Sequence, residues 1–218
     1  MVKISVLIVT RNAEKHILSC LKSIINQFPD NNGWELIIVD GMSKDKTRKI
    51  VEDYLKDKGV EYRVVDNPRF TLATGWNLGV SVAKGDYVVR PDAHAELLDN
   101  YILNGVAHLD KEPELVAVGG ILITKSENLI GEVIAAVLSN PVGIGYSLFR
   151  VGVSKDTYTD TAVYAVYRKP VFSQVGGLNE SLTRNQDIDF HRRILDDGHK
   201  IMTAADMKAV YHSRSTVK

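Results

Sequence analysis

Two hydrophobic periods alternate along the first half of the chain. ISVLIV (4–9) is a continuous apolar run, the pattern of a strand covered on both faces. After it, Ile17, Leu21, Ile24, Ile25 and Phe28 recur at helical spacing. ELIIVD (35–40) predicts a second buried strand, and Ile50, Val51, Tyr54 and Leu55 mark a second helix. EYRVVD (61–66) predicts a third strand, residues 73–84 a third helix, and DYVVR (86–90) a fourth strand. Four strand–helix alternations predict an α/β fold, with a mostly parallel sheet flanked by helices on both faces.

The second half is less regular. ELVAVGGILI (114–123) reads as a strand bent at Gly119-Gly120. Ile130, Val133, Ile134, Val137 and Leu138 make one apolar helical stripe that Asn140-Pro141 ends. TAVYAVY (161–167) predicts a strand, and residues 185–197 a helix stopped by Gly198. No linker, repeat or low-complexity tract divides the chain. The expectation is one domain over 1–218, a nucleotide-binding type of half (1–97) followed by a mixed half (98–218).

Composition narrows the function classes. Lys plus Arg equals Asp plus Glu, 27 each, which excludes a domain held on nucleic acid by bulk positive charge. The apolar N-terminal run stops at Thr10-Arg11-Asn12, too short for a signal peptide core, and no stretch approaches the ~20 apolar residues of a membrane span. A cytoplasmic protein is expected. A single cysteine, Cys20, excludes an internal disulfide and reads as a small buried hydrophobe inside a helix. AVYHSRSTVK ends the chain soon after a strand-like segment with no stop signal, as a truncated protein would.

In an open α/β sheet, ligands collect beyond the carboxyl ends of the strands. There strand one runs into Thr10-Arg11-Asn12, strand two into DGMSKDKT (40–47), and strand four into Arg90, Asp92 and His94. Neither Gly-x-Gly-x-x-Gly nor a Walker-type Gly-Lys-Ser/Thr is present, so a bound diphosphate needs another source of positive charge. Asp92 and His94, two apart, could hold half of a divalent cation site, and imidazole with carboxylate suits Mn²⁺ better than Mg²⁺. Taken alone, the same pair reads as a capping acid beside a surface histidine, and Asp40 to Thr47 as a turn with a helix cap. SLTRNQDIDFHRRILDDG (181–198) puts Asp187 in the first turn of a helix, four residues before His191. It reads either as a charged amphipathic helix or as the carrier of a general base.

ISVLIVTRNAEKHILSCLKSIINQ, ELIIVDGMSKDKT, ATGWNLGVSVAKGDYVVRPDAHAE and VYRKPVFSQVGGLNESLTRNQDIDFHRRILDDGHKI follow one another in this order. Together they resemble glycosyltransferase family 2, inverting enzymes of the GT-A fold. The Arg-x-Asp-Ala-His-Ala form and SNPVGIGYSLFR look closest to bacterial exopolysaccharide glucosyltransferases of the succinoglycan type. The resemblance implies that Thr10, Asn12 and Asp40 line a nucleotide pocket, with Asp40 near the uracil edge. It implies that Asp92 contacts the sugar nucleotide and a metal, with His94 where the family has a second metal-binding Asp. His212 supplies a further metal contact, and Asp187 is the catalytic base. Gly41-Met42 replaces the usual Asp-Gly, and Gln186 replaces the acid before the base.

The implied reaction is metal-dependent (Mn²⁺ or Mg²⁺) transfer from a nucleotide-sugar, a UDP-sugar, to a hydroxyl on a saccharide or lipid-linked saccharide. Polysaccharide synthesis at the inner face of a membrane is the implied setting. The stripe 130–138 and the loop through Gly143 and Gly145 would form the acceptor side. Two rivals stay open at this point: a nucleotidyltransferase that makes sugar nucleotides, and a non-catalytic sugar-nucleotide-binding protein.

Overall fold

The computed structural model describes residues 3–30, 32–125 and 147–212. The stripe 130–138, its Asn140-Pro141 stop and the loop through Gly143 and Gly145 lie outside the described residues. The first half follows its hydrophobic pattern: β1 (Ile4–Thr10), α1 (Ile17–Ile25), β2 (Trp34–Asp40), α2 (Thr47–Leu55), β3 (Tyr62–Asp66), α3 (Leu72–Val82) and β4 (Tyr87–Val89). The four strands pair in parallel, in the order β3-β2-β1-β4.

Alternation along the strands explains the unbroken apolar runs. Val6 and Ile8 of β1 join Leu36 and Ile38 of β2 in a core under α1 and α2. Leu7 of β1, Ile37 and Val39 of β2 face the opposite way, into a second core with Trp76 of α3. A strand buried on both faces has no polar side to show. Helix α3 reaches that face through Gly79, where an added Cβ would stand 2.1 Å from a methyl carbon of Leu7.

Beyond β4 come β5 (Ala95–Leu97), α4 (Tyr101–Lys111), β6 (Leu115–Lys125), α5 (Leu148–Val151), β7 (Thr157–Tyr158), β8 (Val166–Arg168), α6 (Val171–Gln174), α7 (Gln186–Asp196) and β9 (Lys200–His212). The sheet continues β4-β8-β6-β9-β5, with β7 on β9. Here β8 and β5 run antiparallel to their neighbours, while β6 and β9 are parallel. The bend at Gly119-Gly120 is present as a register shift against β9. A Cβ on Gly120 would lie 2.3 Å from the Met207 carbonyl oxygen, so glycine lets two backbones touch there.

One expected strand is corrected. Only its end, Val166–Arg168, is extended, because residues 161–165 leave the sheet and Tyr164 takes a left-handed backbone (φ 46°). That detour walls the cavity described below. Gly198 (φ 84°) closes α7, as its sequence position indicated. Among the described residues no helix is long and apolar enough to cross a membrane.

Candidate active site

Thr10, Asp40 and Asp66 end β1, β2 and β3 in matched register. The loops that leave them are laced together. Gly41 N–H donates to Thr10 O (2.8 Å), and Asn67 N–H to Asp40 O (2.8 Å). Ser43 accepts from Asn12 N–H (2.9 Å), while the Asn12 side-chain oxygen accepts from Lys44 N–H (2.9 Å). The Asp40 carboxylate accepts from the Ser43 hydroxyl (2.5 Å) and Ser43 N–H (3.2 Å). Asp40 is buried, so its first task is to fix this loop, whatever else binds there.

Asn12, Met42 and Phe70 all have left-handed backbones around this crevice, and such non-glycine strain gathers at binding sites. The Met42 and Phe70 side chains are exposed, and the Arg11 guanidinium lies 4.7 Å from the Phe70 ring centre. Thr10 Oγ1 is buried and has no hydrogen-bond partner among the described residues. The crevice therefore offers polar edges below an exposed apolar and cationic rim.

Farther along the sheet lies a cavity of about 190 Å³, lined by Arg90, Asp92, Leu122, Phe149, Arg150, Ala162, Val163, Tyr164, Asp187 and Tyr211. Asp92 and Asp187, far apart in sequence, thus face one space. Asp92 sits just past β4, where Cys20 Sγ donates to its carbonyl oxygen (3.4 Å). Burial first, then the negative charges of Asp92 and Glu96, raise the Cys20 thiol well above its usual range and leave it inert. Asp187 occupies the first turn of α7, and its Oδ1 accepts from Ile188 N–H (3.1 Å). Neighbouring Gln186 is buried and turns its amide to the Leu182 carbonyl (3.0 Å).

The three residues expected to bind metal are not all gathered. His94 Nε2 stands 4.0 Å from Asp92 Oδ2, with its ring edge-on to Tyr211 (5.4 Å). His212 instead meets Glu96 (2.8 Å) and stacks near His16 (6.0 Å). A carboxylate and an imidazole are donors suited to a first-row cation, which would draw the two closer than 4.0 Å and take its remaining ligands from phosphate and water. Among the described residues, a three-ligand His/Asp group forms only elsewhere, from His108, Asp156 and Asp206.

His191, four residues after Asp187, is wholly buried. Its two nitrogens meet the hydroxyls of Thr161 (3.0 Å) and Tyr167 (2.8 Å), which suit a neutral imidazole. Burial lowers its pKa from 6.5 to about 4, against an upward pull from Asp187 and with a downward push from Arg90. The folded pKa is depressed, so the unfolded chain binds the extra proton between those values. Stability is complete above the unfolded value and falls as pH drops toward the folded one, by roughly 3 kcal/mol. Urea unfolding between pH 7 and 5 should show about 2 kcal/mol of this loss, and His191→Gln should flatten it; an equally steep variant would assign the loss elsewhere.

Arg90, Arg150, Tyr164 and Tyr211 also line the cavity without a role read from sequence. For Arg90 a signal was visible, since it interrupts a buried apolar strand at its carboxyl end. Nothing local marked Arg150.

Residues 5–176 match the family described as glycosyl transferase family 2, and the chain belongs to that family of transferase enzymes. A Methanococcus voltae protein, dolichyl N-acetyl-alpha-D-glucosaminyl phosphate 3-beta-D-2,3-diacetamido-2,3-dideoxy-beta-D-glucuronosyltransferase, is 28% identical across 99% of this chain and 68% of its own length. The succinoglycan biosynthesis protein ExoA of Rhizobium meliloti is 25% identical across 94% of this chain and 61% of its own. The crystal structure of GalNAc-T7 with UDP, GalNAc and Mn²⁺ superposes with a TM-score of 0.77 at 15% identity, over 98% of this chain and 44% of that one. That likeness establishes the GT-A fold. The chain thus spans about two thirds or less of these relatives, and the family match does not favour the nucleotidyltransferase rival.

Proposed function

We propose that this chain moves a sugar from a UDP-sugar to an acceptor hydroxyl by one in-line displacement with inversion. The observation that carries the reading is the shared cavity of about 190 Å³ that both Asp92 and Asp187 line. Thr10, Asn12 and Asp40 hold the nucleoside in the laced crevice, with Arg11, Met42 and Phe70 at its rim. Asp92 and His94 would hold a divalent cation, Mn²⁺ or Mg²⁺, which supplies positive charge against the diphosphate. Asp187 takes the proton of the acceptor hydroxyl as its oxygen bonds to the anomeric carbon. The names of the archaeal and rhizobial relatives support a saccharide or lipid-linked acceptor in polysaccharide or glycoconjugate synthesis, and a lipid-linked acceptor would set the work at the inner membrane face.

Thermal shift with a panel of sugar nucleotides, in Mn²⁺ and in EDTA, tests the donor, because a specific ligand stabilises by mass action. One UDP-sugar should raise the midpoint more in Mn²⁺ than in EDTA, and His94→Ala should remove that difference. An unchanged Mn²⁺ response in the variant would take His94 out of the cation site. Pyrophosphate release from a nucleoside triphosphate would replace this reading with nucleotidyl transfer.

A further inference from the structure

We propose that Arg90 and Arg150 form a guanidinium clamp that grips the donor's phosphoryl oxygens without help from a cation; the inference rests on the donor reading above. Both side chains line the cavity that holds Asp92 and Asp187. Arg90 follows β4, and its side chain is only 14% exposed. Its guanidinium lies 3.7 Å from the Trp76 ring centre. Trp76 is itself buried and packed edge-on to Tyr167, so the guanidinium plane is held in place.

What this arginine lacks is an acceptor. Asp92 Oδ1 is 3.7 Å from its terminal nitrogen, beyond hydrogen-bond reach, and its buried Nε has no partner among the described residues. Arg150 repeats the pattern from another wall. Its buried Nη1 is also without a partner among the described residues. Its guanidinium sits 5.3 Å from the Tyr211 ring centre, and Tyr211 in turn meets His94. Each of the two arginines beside the Asp92–His94 pair thus keeps one buried donor nitrogen without an acceptor among the described residues.

Buried donors left unmade are costly, and native structures rarely keep them unless water, an ion or a ligand supplies the acceptor. A planar guanidinium fork matches phosphoryl oxygens two at a time. A guanidinium brings positive charge to the phosphoryl groups with no metal present. During transfer the bond from the anomeric carbon to the phosphoryl oxygen breaks, and its electron pair stays on that oxygen. The acceptor oxygen takes the carbon, and the acceptor proton passes to Asp187. Charge grows on the leaving diphosphate, so a fixed guanidinium pair stabilises the transition state beyond the bound donor.

The test is calorimetric titration of UDP into the wild-type chain in EDTA and in Mn²⁺. Wild type should bind UDP in EDTA. Arg90→Gln and Arg150→Gln should each weaken that binding about 10- to 100-fold. Both should keep the extra affinity that Mn²⁺ brings, and in turnover kcat should fall more than KM rises. Arg90→Lys should recover part of the EDTA affinity, which a packing role alone would not predict. Should Arg90→Gln fail to fold, Arg150→Gln carries the same test. UDP binding that needs Mn²⁺ in wild type, or EDTA affinity unchanged in the folded variants, overturns the clamp while sparing the donor reading. No UDP binding in either condition overturns both.

Discussion

Asp187→Asn should lower sugar transfer by roughly 100- to 10,000-fold, the usual contribution of a placed general base, while UDP binds as before. The substitution keeps the shape of the side chain, and the Asn oxygen can still accept from Ile188 N–H as the carboxylate does (3.1 Å). What it removes is the ability to take a proton. Asp187 also reaches the cavity from α7, whereas the crevice proposed for the nucleoside is built by the ends of β1, β2 and β3. Donor affinity and proton transfer are therefore separable here. Initial rates with donor and acceptor saturating, beside calorimetric UDP binding, check both halves. If the variant lost UDP affinity in proportion to rate, Asp187 would be a donor-binding residue and the base would have to be sought elsewhere along the cavity.

Much of the fold could be read in advance because the first half is local in its logic. ISVLIV and ELIIVD are apolar on both faces because cores lie on both sides of β1 and β2, and the helical stripes between them supply the covers. The second half resisted for the opposite reason. The three-residue β5 exists through pairing with β9, more than a hundred positions later, and such a strand has too few residues to show a period. Residues 161–165 have the β-branched and aromatic content of a strand, yet the chain spends them on the cavity wall.

The site divides along similar lines. Positions at strand ends announced Thr10, Asn12, Asp40 and Asp92, since a parallel sheet fixes where such residues gather. Asp187 came from a resemblance and not from spacing. Its surroundings were not legible there: His191, four residues along α7, points into the core between Thr161 and Tyr167. His212 alternates with Tyr211 on β9, and it is Tyr211 that lines the cavity. No pattern in the residues around Arg150 could have shown that its guanidinium would lack an acceptor.

Glu35→Ala should destabilise the protein by roughly 2–4 kcal/mol, since it takes the acceptor from two enclosed donors. Glu35 is the second residue of the buried strand β2 and is fully enclosed. One carboxylate oxygen accepts from the Ser5 hydroxyl (2.7 Å) and Lys84 N–H (2.6 Å). The other accepts from Arg63 (2.8 Å), whose side chain is one-third exposed. Ser5 in turn accepts from Gly85 N–H (2.9 Å), and a Cβ on Gly85 would stand 2.7 Å from Ser5 N. The cluster therefore pins the entry of β4 against β1 and β2, at the end of the strand opposite Asp92. Alanine would leave the Ser5 hydroxyl and Lys84 N–H without acceptors in a space too closed for solvent to replace them. A midpoint drop on the order of 10 °C should follow for a chain of this size. Glu35→Gln keeps an acceptor for Ser5 and Lys84 and gives up only the partly screened attraction to Arg63, so its loss should be much smaller. Urea unfolding of the two variants decides the matter. Equal losses would mean that the charge, and not the hydrogen-bond acceptor, holds β4 in register.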